Sequence, residues 1–435
     1  MIGQKASRDP HGAKGLSQTP TISEQSGNNP LLGLTRHASI RVGINCLDLN
    51  PAFVGGVTTY TLGLLEALAN IEDACRFNVF VTQGNQHLFE QLRNRNHFCV
   101  HVIGDALLWF RAKVCQAALL SHSTGFVKFT NDLAFQRIRD LMDAESDVLY
   151  TPSPVLRCFN QRKPSVLTMH DIQHIHHPEF FSWPRRLSRN ITYGLSARHA
   201  DYLQANSEYT KRDFLAHFPE LSPERVEVIP LGVNIERFSS PESAPEVCTR
   251  YGIPEQFLFY PAQLWPHKNH LTLLKALKYI EDHYGLKIPL VLTGEAFAAA
   301  PTVLGFLADQ GMKYVYYLGK VPGADMVGLY HKAAFVIAAG LHESGSFPTL
   351  EAAAAGTPVI ASRIPPFEEL AQVLQLNLFE PLDVVSLARL IFDLWNDEAT
   401  AAEQAAVNRR QIACFSFENT ARKYIHLFQR VATNA

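Results

Sequence analysis

Short apolar runs alternate with amphipathic segments along most of the chain, and these runs have the length and composition of buried parallel strands. Segments with helical periodicity fill the gaps, as in 57–68, where the apolar stripe is Val57, Tyr60, Leu64 and Leu68. Such alternation predicts a doubly wound parallel sheet. The predicted strands of this first series are Ile40–Cys46, Phe77–Thr82, Phe98–Ile103, Val148–Thr151, Val166–His170, Leu203–Asn206 and Glu227–Leu231.

A polar stretch with two prolines, Ser239–Pro245, interrupts the pattern, and a second series of strands and helices follows it. We therefore predict an α/β protein in which two Rossmann-like, doubly wound domains face a cleft. The predicted strands of the second series are Phe257–Ala262, Pro289–Thr293, Tyr314–Leu318, Ala334–Ala339, Pro358–Ser362 and Leu378–Glu380.

The length of 435 residues exceeds one ordinary core and agrees with two domains. Residues 1–39 are rich in Gly, Ser, Gln, Asn and Pro and contain no apolar core of a secretory signal, so we predict a disordered lead-in. The predicted N-terminal domain is 40–238. The predicted C-terminal, ligand-binding domain is 239–414, and a final helix occupies 415–435.

Charge and cysteine content limit the partners and the compartment. Lys+Arg 39 against Asp+Glu 41 leaves little net charge, which argues against a nucleic-acid surface and favours small-molecule partners. The seven cysteines are scattered and contain no C-x-x-C pair, which favours a reducing cytoplasm. No apolar run approaches the roughly 18 residues of a membrane span.

The segment 340–362 holds two carboxylates where a loop turns into a helix. Pro348 suits the first turn of that helix and Gly356 suits a left-handed stop after it. Glu343 is then on the loop at the carboxyl end of a strand, where open α/β sheets bind ligands, and Glu351 follows in the helix. Two acids beside the helix amides suit a polyol such as a ribose or a hexose. For either Glu alone, a solvated or dipole-complementing role is the simpler interpretation.

Two further loops carry candidate phosphate contacts. Lys268 follows the first strand of the second series and precedes the predicted helix 271–279, where its ammonium can neutralise a phosphate beside Glu343. His267 assists it or only packs. In the first series, Gly55-Gly56 follows the first strand, and glycine lets a backbone approach a phosphate closely.

Histidines follow the strand that ends near residue 170. His170 is expected to point into the cleft, with Asp171 to orient it or balance its charge. His174, His176 and His177 invite a metal interpretation, but their spacing crosses a turn and offers no carboxylate at ligand spacing beyond Asp171, so plain loop histidines are favoured. No Asp-x-Asp pair occurs to hold a divalent cation on a diphosphate.

The region 106–143 is helix-like, amphipathic and partly basic. We favour an ordinary helical insertion that packs on the sheet; the alternative is an acceptor-side wall that touches a membrane surface.

Taken together and in order, these motifs resemble a retaining glycosyltransferase of family 4 with the GT-B fold. The resemblance runs from Ile40 almost to the C-terminus. It rests on Gly55-Gly56, His170-Asp171, Ala205-Asn206-Ser207, Val228–Asn234, Pro266–Asn269, the pair Glu343 and Glu351, Leu378–Pro381 and Phe415–Asn419.

The resemblance implies a role for each matching residue. Glu351 would hold the ribose of a nucleotide sugar, Glu343 the donor hexose and Lys268 the diphosphate, while His170 would line the sugar subsite near the reacting carbon. The final helix would cross back to the N-terminal domain. By the same resemblance His170, Glu343 and Lys268 are the catalytic candidates, and the donor-binding candidates are Gly55, Gly56, His267, Lys268, Gly294, Val321, Gly345, Ser346, Phe347, Thr349 and Glu351.

Two departures from the family pattern stand out. The basic residue that often lies six positions before the lysine is Ala262 here, so one phosphate contact is absent or comes from elsewhere, with His267 as a candidate. The usual Glu-Gly-Phe-Gly is Glu343-Ser344-Gly345-Ser346, which leaves the identity of the sugar open.

The expected activity is transfer of a hexose, mannose- or glucose-type, from a nucleoside diphosphate sugar to the hydroxyl of a carbohydrate or lipid-linked acceptor, in polysaccharide or glycoconjugate synthesis. No cofactor and no metal are expected. The expected location is the cytoplasm or the inner face of the membrane. A nucleotide-sugar epimerase and a non-catalytic nucleotide-sugar-binding protein remain alternatives. A nicotinamide dehydrogenase is disfavoured because Val54-Gly55-Gly56 replaces Gly-x-Gly-x-x-Gly.

Overall fold

The computed structural model describes residues 39–51, 55–71, 75–240 and 246–434, and for 105–110 it describes the backbone alone. The predicted lead-in, apart from Ser39, lies outside these ranges, as do residues 241–245 of the predicted linker. The domain boundaries at 238/239 and 414/415 stay predictions.

Among the described residues, the first sheet has seven parallel strands in the order β3-β2-β1-β4-β5-β6-β7. The strands are β1 (Ile40–Asn45), β2 (Cys75–Thr82), β3 (Phe98–Ile103), β4 (Val148–Thr151), β5 (Ser165–Thr168), β6 (Tyr202–Ala205) and β7 (Val226–Val228).

Within 246–434 the second sheet has six parallel strands in the order β10-β9-β8-β11-β12-β13. The strands are β8 (Leu258–Pro261), β9 (Leu290–Thr293), β10 (Val315–Tyr317), β11 (Phe335–Ala338), β12 (Val359–Ser362) and β13 (Asn377–Phe379). Each predicted strand is present, and the predicted fold class is confirmed. Several ends differ by a few residues: β5 ends at Thr168, so that His170 lies on the loop after it.

Helices connect the strands of both sheets. The first seven are α1 (Gly56–Ala69), α2 (Asp105–Ala118), α3 (Thr124–Glu145), α4 (Gln173–His176), α5 (Trp183–His199), α6 (Glu208–His217) and α7 (Ile235–Ser239). The later ones are α8 (Val247–Tyr251), α9 (His270–Tyr284), α10 (Ala300–Asp309), α11 (Gly323–Lys332), α12 (Phe347–Ala355), α13 (Pro365–Leu370), α14 (Val384–Trp395), α15 (Glu398–Gln411) and α16 (Phe417–Thr433).

Helix α12 follows the predicted start and stop signals. Pro348 lies in its first turn, where no backbone N–H is needed, and the Ser346 side chain accepts a hydrogen bond from the Thr349 N–H. Gly356 ends the helix at φ 74°, in the left-handed region that favours glycine.

The last helix, α16, packs against α1 beside the first sheet, as the family resemblance implied. The Tyr424 hydroxyl lies 2.5 Å from that of Tyr60 and 2.9 Å from the Thr168 hydroxyl, and all three residues are buried. A Cβ at Gly63 would lie 2.3 Å from the Phe417 ring, so glycine is what allows α1 and α16 to approach this closely. The final helix therefore contacts the end of β5, two residues before His170.

The predicted helical insertion is present as α2 and α3. Its side chains on α3 include three large apolar groups that are exposed to solvent: Phe126 at 51%, Phe129 at 64% and Leu133 at 64%. In the described part of the chain, no helix has both the length and the apolar character needed to cross a bilayer.

Candidate functional site

A cavity of about 570 Å³ lies at the carboxyl ends of strands from both sheets. Its walls come from the loops after β1, β5, β6 and β7 of the first sheet and after β8, β9, β10 and β11 of the second. The size is within the range of small-molecule sites, about 300–1,000 Å³. The topology therefore brings together loops that are far apart in sequence.

All of the predicted site residues except Thr349 line this cavity. Thr349 is fully buried, and its hydroxyl donates a hydrogen bond to Ser346 Oγ at 3.0 Å, so that its side chain supports the start of α12. The residues that line the cavity are Gly55, Gly56, His170, His267, Lys268, Gly294, Val321, Glu343, Gly345, Ser346, Phe347 and Glu351.

Lys268 and Glu343 form an ion pair inside the cavity. The Lys268 ammonium donates a hydrogen bond to Glu343 Oε1 at 2.5 Å, and the two side chains are 22% and 14% exposed. The Lys268 loop is held in place by Asn269, whose amide donates hydrogen bonds to the carbonyl oxygens of Ala339 and Pro381. Burial raises the pKa of the Glu343 carboxyl, while the neighbouring Lys268 charge lowers it. A cation and an acid are therefore preorganised at one point.

Glu351 has a different partner. The hydroxyl of the buried Tyr330 donates a hydrogen bond to Glu351 Oε2 at 2.6 Å. Burial raises the pKa of this carboxyl too, and the hydrogen bond from Tyr330 opposes the shift. The phenol thus orients the carboxylate without adding charge, and leaves the second oxygen available for hydroxyl groups.

The loop between the two acids approaches the first sheet closely. A Cβ at Gly345 would lie 2.6 Å from Leu231 Cδ1, so a larger residue would force the two sides of the cavity apart. The Asn206 amide donates a hydrogen bond to Ser344 Oγ at 3.2 Å across the same contact. This hydrogen bond directly links loops of the two sheets. Ser344, which accepts it, is at a position where the family pattern usually has glycine.

His170 is electrically neutral around pH 7. Burial lowers the pKa of its ring to about 4, against the opposing effect of Asp171. Asp171 itself accepts a hydrogen bond from the Gln173 N–H at 3.1 Å. Within the described residues Nε2 of His170 has no hydrogen-bond partner, although it is buried and on the cavity wall. The Tyr60 ring packs edge-on against it at 5.3 Å.

His267 does not replace the missing basic residue as a cation. Burial, with Lys268 next to it, lowers the pKa of His267 to about 2, so the ring can offer a hydrogen bond but no charge. Arg237 does line the cavity: it is held by the Gly323 carbonyl oxygen at 2.8 Å and lies 5.3 Å from the centre of the Phe238 ring. Neither Arg237 nor Tyr330 lies in a motif with a recognisable spacing, so the sequence alone does not mark them as site residues.

The loops after β9 and β10 form another part of the cavity wall. Gly294 has φ 117°, and a Cβ there would lie 2.7 Å from the Gln263 backbone nitrogen, so glycine is required for the approach of these loops. Lys320, beside Val321, pairs with Glu295 at 3.4 Å.

A cluster of side chains that could coordinate a metal lies outside this cavity. Of the described residues, the one group of three with ligand atoms close enough to share an ion is His176, Asp213 and His217, and none of them lines the cavity.

Comparisons with known proteins identify relatives of this chain. The profile described as Glycosyltransferase Family 4 matches residues 54–237, and the profile described as Glycosyl transferases group 1 matches residues 255–397. The O-antigen chain mannosyltransferase B of Escherichia coli is 24% identical over 269 residues, which are 61% of this chain and 70% of that protein. The O-antigen chain mannosyltransferase RfbU of Salmonella typhimurium is 27% identical over 205 residues, 47% of this chain and 53% of that protein.

Solved structures share the architecture. Anabaena HepE, in complex with UDP and glucose, superimposes with a TM-score of 0.65 at 20% identity and covers 90% of this chain and 100% of its own. At this identity the likeness establishes the fold.

Proposed function

The chain belongs to the glycosyltransferases of family 4 and group 1, with the GT-B fold, and we propose that it transfers a hexose from a nucleoside diphosphate sugar to an acceptor hydroxyl with retained anomeric configuration. The observation that carries the proposal is that one ammonium, two carboxylates and a helix start line a single cavity between the two sheets.

Each group suits one part of such a donor. Lys268 and the amides at the start of α12 suit the diphosphate, because both favour negative charge. Glu343 suits the hydroxyls of the hexose and Glu351 those of the ribose. Gly55 and Gly56 let the α1 loop close over the phosphates, and the loop of Val321 suits the base.

The chemical step breaks the bond between the anomeric carbon and the diphosphate oxygen, and the electron pair leaves with the nucleoside diphosphate. A bond forms between the anomeric carbon and the acceptor oxygen on the same face, and the acceptor proton passes to the departing phosphate. Lys268 stabilises the charge that develops on the leaving group. Neutral His170 offers its unpartnered nitrogen to a sugar hydroxyl near the reacting carbon. No step in this scheme uses a metal.

Mannose is the sugar that we propose first. The relatives from Escherichia coli and Salmonella typhimurium are named as mannosyltransferases of the O-antigen chain, which supports a mannosyl donor and a carbohydrate or lipid-linked acceptor. We propose a cytoplasmic location on the cysteine usage of the chain.

We further propose that α3 touches the inner face of the membrane. Phe126, Phe129 and Leu133 recur on one helix face and are exposed, as expected of a face that enters the interface of a bilayer. Co-sedimentation with anionic phospholipid vesicles should fall when Phe126 and Phe129 are both replaced by Ser. Equal sedimentation of the variant and the original protein would contradict the contact.

The proposed activity is tested with the full chain in EDTA, with GDP-mannose, UDP-glucose or ADP-glucose as donor and octyl mannoside as acceptor. We expect acceptor-dependent release of nucleoside diphosphate with one donor, and proton NMR of the product should show the donor's anomeric configuration. Conversion of the donor sugar without acceptor would indicate an epimerase. A donor that binds but is never consumed would indicate a binding protein.

A further inference from the structure

Three side chains of the kinds that coordinate metals meet where α4 and α6 come together, outside the cavity described above. Asp213 and His217 are four residues apart on α6, so they lie on the same face of the helix. His176, the last residue of α4, reaches them from the loop region that follows His170. His176 and Asp213 are 37 residues apart in the sequence.

The ligand atoms are already close to coordinating positions. His176 Nε2 lies 2.8 Å from Asp213 Oδ1 and 2.9 Å from Oδ2, and His217 Nδ1 lies 3.2 Å from Oδ1. A tetrahedral zinc ion with bonds of about 2.0–2.1 Å separates its ligand atoms by about 3.4 Å. An ion therefore needs each histidine nitrogen to move away from the Asp213 carboxylate by only about 0.2–0.6 Å. The three ligand atoms all lie within 4.8 Å of one another. The side chains of His176 and His217 are 29% and 32% exposed and have room to turn.

We propose that His176, Asp213 and His217 form a binding site for a divalent transition-metal ion, with zinc as the best match. Two imidazoles and one carboxylate are a ligand set that zinc accepts, and three protein ligands leave a fourth position for water. His217 Nδ1 also lies 2.9 Å from the Asp213 carbonyl oxygen, so zinc displaces the proton that this nitrogen shares with its neighbours.

The proposed ion ties two elements on the first-sheet side of the cavity. His176 stacks on the buried His342 with ring centres 5.7 Å apart, and His342 directly precedes Glu343. An ion on His176 therefore fixes a ring that packs against the loop of Glu343. Since none of the three ligands lines the cavity, the ion does not touch the donor, and the proposed transfer reaction remains metal-independent.

The test is zinc binding by the full chain after treatment with a chelator and its removal. Zinc is titrated in competition with a chromophoric chelator, and thermal unfolding is recorded with and without zinc. We expect one equivalent to bind and to raise Tm, and His217→Ala or Asp213→Asn to weaken binding at least about tenfold. Cobalt(II) in place of zinc should give visible ligand-field absorption that both variants lose.

His283→Ala is the matched control. His283 lies near the end of a helix, and its Nδ1 is 2.9 Å from the carbonyl oxygen four residues earlier, as in His217. It differs from His217 in having Tyr279, rather than a carboxylate and a second histidine, against its ring. We expect this variant to bind zinc like the original protein. Absence of stoichiometric binding, or equal affinity in His217→Ala and His283→Ala, would overturn the proposal and leave a cluster held by hydrogen bonds alone.

Discussion

Replacing Lys268 by Met removes the ammonium that faces Glu343 while keeping most of the side-chain length. If the ammonium stabilises the departing diphosphate, turnover must fall by orders of magnitude while the protein still folds. The ion pair at 2.5 Å makes both effects measurable, because the same charge has a partner in the protein and a proposed partner in the donor.

The expected loss of turnover follows from electrostatics. Two unit charges about 4 Å apart interact by about 4 kcal/mol at an effective dielectric constant of about 20. Removal of one donor aimed at developing charge costs about 2.7–4 kcal/mol in known enzymes, which corresponds to about 100- to 1,000-fold in kcat. We expect Lys268→Met to lose activity within this range.

The expected loss of stability is smaller. Breaking a fully buried ion pair costs about 3–5 kcal/mol. Lys268 and Glu343 are 22% and 14% exposed, so water screens the remaining charge and we expect about 1–3 kcal/mol in the free energy of unfolding. The double variant with Glu343→Gln should recover most of this stability, since it leaves no unpaired charge, but it should not recover turnover.

The stability of the variant should also depend more strongly on pH than that of the original protein. Burial already raises the pKa of Glu343 above its usual value, and loss of the Lys268 charge raises it further. The folded variant then binds a proton more tightly than the unfolded chain. Its stability should therefore fall as pH rises from the usual carboxyl range through the raised pKa, and recover as pH is lowered.

The assay is steady-state release of nucleoside diphosphate, with urea unfolding at about pH 5 and about pH 8 for stability. Lys332→Met is the control. Lys332 pairs with Glu255 at 2.9 Å on the surface, at the end of α11, and lies outside the cavity. We expect it to keep normal turnover. Turnover of Lys268→Met within a few-fold of the original would refute the role assigned to the ammonium.

Three further predictions concern neighbouring groups. Tyr330→Phe removes the hydrogen bond to Glu351, so KM for the donor should rise about 5- to 30-fold, from about 1–2 kcal/mol, with a smaller effect on kcat; an unchanged KM would show that Glu351 does not contact the donor. Gly345→Ala places a methyl group 2.6 Å from Leu231 Cδ1, so donor binding measured by calorimetry should weaken without loss of the fold, and normal affinity would contradict a closed cavity. His170→Gln should reduce the slope of the plot of unfolding free energy against pH between about pH 6.5 and about pH 4. A histidine whose pKa is lowered to about 4 contributes stability at pH values above the usual histidine pKa and loses that contribution as the pH falls toward about 4. An unaltered slope would contradict a neutral His170.

The alternation of apolar runs and amphipathic segments was sufficient to predict both sheets, because strand and helix periodicities are local properties of the chain. The signals of α12 were equally local: Pro348 and Gly356 mark its ends in the sequence and in the structure. The predicted convergence of Lys268, Glu343 and Glu351 followed from a topological rule, since the carboxyl ends of parallel strands meet at one edge of a sheet.

Contacts between distant segments could not be predicted in this way. Tyr330 and Tyr424 have the apolar spacing of core residues, and only the fold brings their hydroxyls to Glu351 and to Tyr60. The same holds for His176. The spacing of residues near His176 in the sequence gives no sign of a metal site, because its carboxylate partner, Asp213, lies on another helix. The neutrality of His267 also depends on burial, which the sequence does not reveal.

The most direct test of the central claim is a crystal structure of the protein with a nucleoside diphosphate sugar bound. We expect the diphosphate within hydrogen-bonding distance of Lys268 Nζ, the ribose hydroxyls on Glu351 and the hexose on Glu343, with the 2.5 Å contact between Lys268 and Glu343 opened to admit the donor. A donor bound elsewhere, or bound with that contact unchanged and the phosphates away from Lys268, would contradict the account.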